Sequence, residues 1–295
     1  MKISFLDFWD GFEPQNNFFI DLIRTFIPNV IVTNPIECDF LFFSCFGNQN
    51  RNYMNKKRIF YTGENLRPNY DSIEPLIERG LYRGKCDFSL SFDFSKDDKN
   101  IRVPLWLMQI DWFNKINYGN PKYVIPIDKL FDNNFYNNDK NKFCSFVFNN
   151  TAPHRWEFIN EMNKYKKVDC FGKPHGNWFY GEDHKLQIIS NYKFNVCFEN
   201  ASYSGYYTEK PIHAKVAGCV PIYWADDNFS NDFNSNAFIN LNDFSNMKDL
   251  VDYIVDLDKN FDKYNLIRSE KIFTSDNFAH NLLDEITKQI KNILL

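Results

Sequence analysis

Three stretches of this 295-residue sequence place charged or amide side chains just after an apolar run typical of a buried strand. In the stretch 194–210 the apolar run ends at Glu199 and Asn200, a glycine-containing loop follows, and a helix is predicted to begin at Glu209. Helix starts attract anions through their N–H groups, and a lysine there is mildly unfavourable. A bound diphosphate would explain Lys210, and Glu209 could accept hydrogen bonds from ribose hydroxyls. The alternative is an ordinary helix start with solvated charges.

The second stretch, 59–69, ends a predicted strand with Thr62, Gly63 and Glu64. A carboxylate on such a turn suits a general base, provided that partial burial raises its pKa towards neutrality. The alternative is a loop glutamate paired with Arg67, an interaction that contributes little to stability. The residue types alone leave both interpretations open.

The third stretch places Arg155 in the first turn of a helix that follows the predicted strand 143–148. A guanidinium group matches phosphate oxygens better than it matches the positive end of a helix dipole, which favours phosphate binding. A surface arginine is the alternative. Asp256-Leu257-Asp258 has the DxD pattern that some enzymes use to hold a metal ion, but it lies within a helical stripe. That position predicts a solvated helix face and no metal site.

Short apolar runs alternate with amphipathic segments in both halves of the chain, which predicts an α/β fold with parallel sheets. The polar stretch 132–141 separates the halves. We therefore predict two doubly wound, Rossmann-like domains, 1–135 and 136–295, facing each other across a cleft. Thr208 is expected to cap the helix 209–217, and two amphipathic helices are expected to close the chain. Strands are predicted at 3–5, 30–32, 40–44, 59–61, 88–92, 143–148, 168–171, 194–198 and 220–223.

The composition limits the classes of function. The net charge is −4, which disfavours a nucleic-acid-binding protein because such proteins need a basic face. The seven cysteines include no CxxC pair, which indicates reduced thiols and no zinc site. The N-terminus has no secretion signal, and the apolar run 40–46 is too short to span a bilayer. We therefore expect a cytoplasmic protein with no membrane span and no nucleic-acid partner. The oligomeric state is left open.

Four motifs carry a family resemblance: TGENLRPN at 62–69, YKFNVCFEN at 192–200, GYYTEK at 205–210 and GCVPIYW at 218–224. They resemble the signature of the α-1,3-fucosyltransferases, glycosyltransferase family 10, and are most similar to its compact bacterial members. The motifs occur in the order of the family and at similar separations. The resemblance spans about 59–257, which is most of the chain.

The resemblance implies a GT-B fold whose C-terminal domain binds GDP-fucose and whose N-terminal domain binds a glycan acceptor. Glu64 would be the general base, and Asn65 and Arg67 are candidates on the acceptor side. The positions that match donor-binding residues are Arg155, Asn200, Tyr206, Glu209 and Lys210. The implied reaction is an inverting transfer of L-fucose to a hydroxyl, O3 of a GlcNAc-type sugar. It requires neither a divalent metal ion nor another tightly bound cofactor.

Other interpretations stay open. A GT-B transferase with another nucleotide-sugar donor would keep the diphosphate-binding groups and change the pocket around Tyr206. A non-catalytic glycan- or nucleotide-binding protein would retain Arg155 and Lys210 but would have no use for Glu64. A glycosidase would use paired carboxylates and would give the cations at the helix starts no role. Candidates for stacking on sugars are Trp106, Trp112 and Trp178, although a tryptophan is more often part of a core.

Overall fold

A computed structural model describes residues 1–65, 86–94, 98–132, 139–176 and 181–295, and these residues form the predicted α/β fold. The described residues of the N-terminal lobe form a sheet of six parallel strands: β1 (Lys2–Leu6), β2 (Ile31–Val32), β3 (Phe40–Phe43), β4 (Lys57–Thr62), β5 (Phe88–Ser91) and β6 (Asn100–Arg102). They lie in the order β2-β1-β3-β4-β5-β6. Two further short strands, β7 (Ile110–Asp111) and β8 (Ile125–Pro126), pair with each other.

The C-terminal lobe contains a second parallel sheet. Its strands are β9 (Lys142–Val147), β10 (Val168–Phe171), β11 (Tyr192–Phe198), β12 (Val220–Trp224) and β13 (Ile239–Asn240). They lie in the order β10-β9-β11-β12-β13. Every strand predicted from the sequence is therefore present in one of the two sheets.

Both sheets have the same order of strands at one side. The second strand in chain order lies at the edge beside the first, and the third lies on the other side of the first. Connections leave in opposite directions at this point, so a crevice opens at the carboxyl ends of β1 and β3 in one lobe and of β9 and β11 in the other. Ligands of open α/β sheets bind at such switch points.

Helices flank the sheets. They are α1 (Phe18–Arg24), α2 (Ile127–Asp132), α3 (Pro153–Met162), α4 (Glu182–Ile189), α5 (Lys210–Val216), α6 (Met247–Lys259), α7 (Phe261–Ser269) and α8 (Phe278–Leu294). In the C-terminal lobe α3 and α6 share one core cluster, and α4 and α5 belong to another. Strand β11 lies between them, because Phe194 and Val196 belong to the first cluster and Cys197 to the second. Side chains of a strand alternate between its two faces, and so this sheet is covered on both sides.

Three helices close the chain, whereas the sequence predicted two. Asn260 separates α6 from α7, and its side chain caps α7 by accepting a hydrogen bond from the Lys263 N–H. In helix α7 the apolar residues Phe261 and Leu266 are exposed, and Tyr264 is the one buried residue. Its apolar side chains therefore form no stripe along one face. A pattern search based on apolar spacing misses such a helix.

The two lobes are joined by packing and by hydrogen bonds. The last helix, α8, contacts α1 and β6 of the N-terminal lobe, and one core cluster contains residues of both lobes. Asp232 of the C-terminal lobe accepts hydrogen bonds from Arg102 and from the Trp106 indole, both at 2.7 Å. The predicted division at 135/136 falls within residues 133–138, outside the described part of the chain, and stays a prediction.

Candidate active site

A cavity of about 480 Å³ lies at the switch point of the C-terminal sheet. Residues that follow β9 and β11 line it, among them Asn150 and Asn200, together with Arg155, Glu209 and Lys210. Four of the five predicted donor-binding residues therefore lie around one space. The fifth, Tyr206, is not among the described lining residues. It is buried, and its ring lies 5.2 Å from that of Phe92.

Arg155 connects the two strand ends at this switch point. Its guanidinium group donates to the carbonyl oxygen of Asn150 at 2.8 Å and to that of Phe198 at 2.7 Å. It also donates to Oδ1 of Asn200 at 2.9 Å, and the residue is only 1% exposed. The surface-arginine alternative is therefore wrong. The guanidinium group of Arg155 thus lines the cavity in a fixed position, where its charge would attract an anion.

Lys210 is held by a buried carboxylate. Its Nζ lies 2.8 Å from Oε2 of Glu199, a fully buried side chain that also accepts hydrogen bonds from Thr208 and Tyr223. Burial lowers the pKa of Lys210, but Glu199 and Glu209 raise it more, so the net shift is upward and the ammonium stays charged. The sequence places Glu199 at the strand end but predicts no role for it.

The predicted cap at Thr208 is wrong. Helix α5 begins at Lys210 with Glu209 as its N-cap residue, and no side chain caps it. The Thr208 hydroxyl donates to the Glu199 carboxylate instead. A buried carboxylate competes successfully for this hydroxyl because a buried charge requires hydrogen-bond partners.

Glu209 lies between two cations. Its carboxylate is 3.5 Å from Nζ of Lys185, a residue of α4 that the sequence analysis did not single out. Burial raises the pKa of Glu209, but Lys210 and Lys185 lower it more, and the net shift is downward. The two lysines therefore keep the Glu209 carboxylate ionised.

A second cavity, of about 230 Å³, lies in the N-terminal lobe at the carboxyl ends of β1, β3 and β4. Trp9, Phe46 and Glu64 line it. Glu64 stays open to solvent, and its backbone N–H donates to Oγ1 of Thr62 at 3.0 Å. Desolvation by the surrounding protein raises the pKa of Glu64, the charge of Lys210 lowers it, and that of Glu209 raises it. The net shift of this pKa is upward. The two donor-site charges thus act on Glu64, which places the predicted base near the first cavity.

Gln109 lines both cavities and so marks the boundary between them. It is 9% exposed, and its Oε1 accepts no hydrogen bond from the described residues. The same holds for the buried Oδ1 of Asn65. Unsatisfied buried oxygens cost free energy, and they are common at sites where a ligand completes the network. Arg67 lies outside the described residues.

Two aromatic residues of the second cavity, Trp9 and Phe46, were not predicted. They follow β1 and β3, so the rule that ligands bind at strand carboxyl ends would have found them. Of the predicted stacking residues, Trp106 is fully buried in the core, Trp112 packs on His280 and Trp178 lies outside the described residues.

The DxD segment is partly buried. Asp258 is paired with Lys166 and Lys193 at 2.7 and 2.8 Å, so the prediction of a solvated face holds for Asp256 alone. Within the described residues no group of three or more His, Cys, Asp and Glu side chains is arranged to hold a metal ion. Nor does the described part of the chain contain a helix long and apolar enough to cross a membrane.

Comparison with known proteins supports the family resemblance over both lobes. Residues 3–109 match the family model of the α-(1,3)-fucosyltransferase FucT N-terminal domain. Residues 137–268 match that of the glycosyltransferase family 10 (fucosyltransferase) C-terminal domain. The α-(1,3)-fucosyltransferase FucT of Helicobacter pylori is 30% identical over 289 residues, which cover 86% of this chain and 56% of that protein.

A putative fucosyltransferase of Acanthamoeba polyphaga mimivirus is 33% identical over 53% of this chain and 28% of its own length. This chain thus spans 56% or less of these two curated relatives. A solved α1,3-fucosyltransferase superposes with a TM-score of 0.73 at 28% identity, over 99% of this chain and 89% of the other. Its complex with GDP-fucose superposes with a TM-score of 0.70 over 99% and 90%.

The two parallel α/β lobes, each with a cavity at its switch point, have the GT-B fold of these glycosyltransferases. The chain belongs to glycosyltransferase family 10, the fucosyltransferase family.

Proposed function

We propose that this protein transfers L-fucose from GDP-fucose to a hydroxyl of a glycan acceptor. The observation that carries the proposal is the junction of two cavities, one lined by Arg155, Lys210 and Glu209 and the other containing Glu64. A solved relative with this fold binds GDP-fucose, which supports the same donor here. The C-terminal cavity takes the donor, and the N-terminal cavity takes the acceptor.

The proposed reaction is a single displacement that inverts the anomeric centre. The acceptor hydroxyl attacks C1 of fucose, a new O–C1 bond forms, and the bond from C1 to the phosphate oxygen breaks. GDP leaves with the electron pair, and Glu64 takes the proton of the hydroxyl. The raised pKa of Glu64 supports this role because a stronger base accepts a proton more readily.

Charge develops on the departing diphosphate, and fixed cations stabilise it. Lys210 is held in place by Glu199 at 2.8 Å, and Arg155 by three oxygens of the strand ends. Such preorganised groups need no reorientation during the reaction. The proposal therefore assigns charge stabilisation to these side chains and requires no divalent ion.

Asn200 and Glu209 are proposed to contact the donor, the latter through the ribose hydroxyls. Tyr206 is buried beside the site, and we propose that it shapes the pocket wall next to the donor. On the acceptor side, Asn65 has a buried oxygen without a hydrogen-bond donor among the described residues. A hydroxyl of the sugar is a suitable donor. We propose O3 of a GlcNAc-type sugar as the attacking group.

The proposal is tested by calorimetric titration of the protein with GDP, UDP and GDP-fucose, followed by transfer assays with N-acetylglucosamine-containing oligosaccharides. Selective binding of GDP and GDP-fucose, with formation of a fucosylated product, is the expected result. Selective binding of UDP would move the protein to another nucleotide-sugar donor. Nucleotide binding without transfer to any glycan would support a non-catalytic binding protein.

A further inference from the structure

Lys185 contributes a third cation to the donor cavity, and neither the motifs nor the proposed reaction uses it. The residue lies on α4, and its side chain is largely buried in the cavity wall. Its Nζ is 3.0 Å from Nδ1 of His213 and 3.5 Å from Oε1 of Glu209. An ammonium group has three N–H donors, so these two contacts leave one donor for a ligand.

His213 holds this ammonium group without neutralising it. The imidazole is 1% exposed, and burial together with the charge of Lys185 keeps its pKa well below the usual value. Because Lys185 can only donate, Nδ1 of the neutral ring accepts and Nε2 carries the proton. Nε2 has no hydrogen-bond partner among the described residues. A neutral acceptor fixes the position of the ammonium and leaves its positive charge in the cavity.

The other two cations among the described lining residues, Lys210 and Arg155, differ in this respect. Lys210 is paired with the fully buried carboxylate of Glu199, and Arg155 donates to three protein oxygens. The one anionic partner of Lys185 among the described residues is Glu209, at the long distance of 3.5 Å. If Glu209 turns towards the ribose hydroxyls of a nucleotide, Lys185 loses that partner. A phosphate oxygen in the cavity would replace it.

We propose that Lys185 binds the diphosphate of the nucleotide directly and that His213 is its positioning residue. This inference rests on the proposed function only in that the ligand is a guanosine diphosphate. Before the ligand binds, the Glu209 carboxylate occupies the place of the phosphate between Lys185 and Lys210. On binding, Glu209 exchanges its cationic partner for hydroxyl donors, and the phosphate takes over the contact with Lys185.

The test compares the binding of GDP and of guanosine to the wild type and to Lys185→Met. A hydrogen bond to a charged group contributes enough that GDP should bind about 10- to 100-fold more weakly to the variant. Guanosine lacks the diphosphate, and so its affinity should not fall. Lys185→Arg keeps the charge and should recover most of the GDP affinity. Lys167→Met, a change at a site that is 83% exposed, is the matched control and should behave as the wild type.

The role of His213 is tested by two variants. His213→Asn retains an acceptor near the position of Nδ1 and should bind GDP almost as the wild type does. His213→Leu removes that acceptor and should weaken GDP binding about 10-fold while leaving guanosine binding unchanged. A purely structural role would instead make both variants affect GDP and guanosine alike.

Three outcomes are distinguishable. Unchanged GDP affinity in Lys185→Met overturns the inference and leaves the proposed function intact. Equal weakening of GDP and guanosine also overturns it, since the diphosphate would then not be the group that Lys185 contacts. Failure of the wild-type protein to bind GDP at all contradicts the proposed function itself.

Discussion

The two cavities differ in how their polar groups are satisfied. Behind the wall of the C-terminal cavity the buried Glu199 accepts hydrogen bonds from Thr208, Tyr223 and Lys210, and Arg155 donates to three oxygens. The N-terminal cavity is lined largely by apolar and aromatic side chains, and Gln109 at its border keeps an oxygen without a partner among the described residues. Two cations of the C-terminal site, Lys210 and Arg155, are thus held in place by protein oxygens, whereas the N-terminal cavity offers mainly apolar surface.

The difference fits the chemistry of the two proposed substrates. A diphosphate carries concentrated charge, which fixed cations bind best when they are already in place. A neutral sugar offers apolar ring faces and hydroxyl groups, which match aromatic side chains and a few hydrogen-bonding groups. Substitutions in the two cavities should therefore separate donor binding from acceptor use.

The largest effect is expected for Glu64→Gln. The amide cannot take the proton of the acceptor hydroxyl, so the rate of transfer should fall by roughly 10²- to 10⁴-fold. The affinity for GDP, measured by calorimetry, should stay within about twofold because the donor contacts are unchanged. A large loss of GDP affinity in this variant would break the comparison, since Glu64 would then belong to the donor site.

Lys210→Met should impair both the reaction and the fold. Transfer should slow by on the order of 10²-fold, because a preorganised cation at the leaving group is lost. The buried Glu199 carboxylate would lack its cation, and the free energy of unfolding should fall by about 3–5 kcal/mol in denaturant titrations.

A second variant separates the two effects of Lys210. The double variant Glu199→Gln/Lys210→Met removes the buried charge, so it should recover most of the stability without recovering the rate of transfer. Recovery of both properties would show that Lys210 acts on the nucleotide only by maintaining the fold.

Phe46→Ala should have a moderate effect confined to the acceptor. Phe46 is 50% exposed where it lines the N-terminal cavity, so its removal leaves the core intact. The acceptor KM should rise up to about 10-fold, given the usual strength of aromatic contacts, and the KM for GDP-fucose should not change. Ile36→Ala, at another exposed apolar residue outside the cavity, is the matched control. Equal changes in both KM values would contradict the separation of the two sites.

The smallest effect concerns pH. Glu64 acts as a base only when ionised, and its pKa is raised, so kcat should fall on acidification at a pH above the ordinary glutamate range of about 4.3. The negative charge of Glu209 contributes to this increase. In Glu209→Gln the acid limb of the kcat profile should therefore move to lower pH. Glu37→Gln makes the same charge change at the distant ion pair with Lys2 and should leave the limb unchanged. A shift to higher pH in Glu209→Gln would contradict the electrostatic link.

The sequence is informative where the site depends on local pattern. Four residues of the donor cavity follow strands or lie at helix starts: Arg155, Asn200, Glu209 and Lys210. The topology of a parallel sheet brings such positions to one edge. Glu64 follows the same rule in the other lobe. Strand order and residue type singled out these positions, and the family resemblance then assigned them to the donor and to the base.

The remaining features of the site depend on contacts between distant parts of the chain. Lys185 contacts His213, which lies 28 residues further along the chain, because α4 packs on α5. The bond of Thr208 to Glu199, which replaces the expected helix cap, depends on the depth at which that carboxylate is buried. Local propensity contains no information about either quantity, because both are set by tertiary packing.

Asp232 connects the wall of the N-terminal cavity to the C-terminal lobe. One oxygen of this buried carboxylate receives both Arg102 and Trp106, and Trp106 belongs to the short helix Leu105–Gln109 that forms a wall of the N-terminal cavity. A displacement needs its nucleophile and its anomeric carbon within about 3–3.5 Å of each other and in line. The proposed alignment of two substrates on separate lobes therefore depends on this one carboxylate as well as on the packing of α8 against the N-terminal lobe.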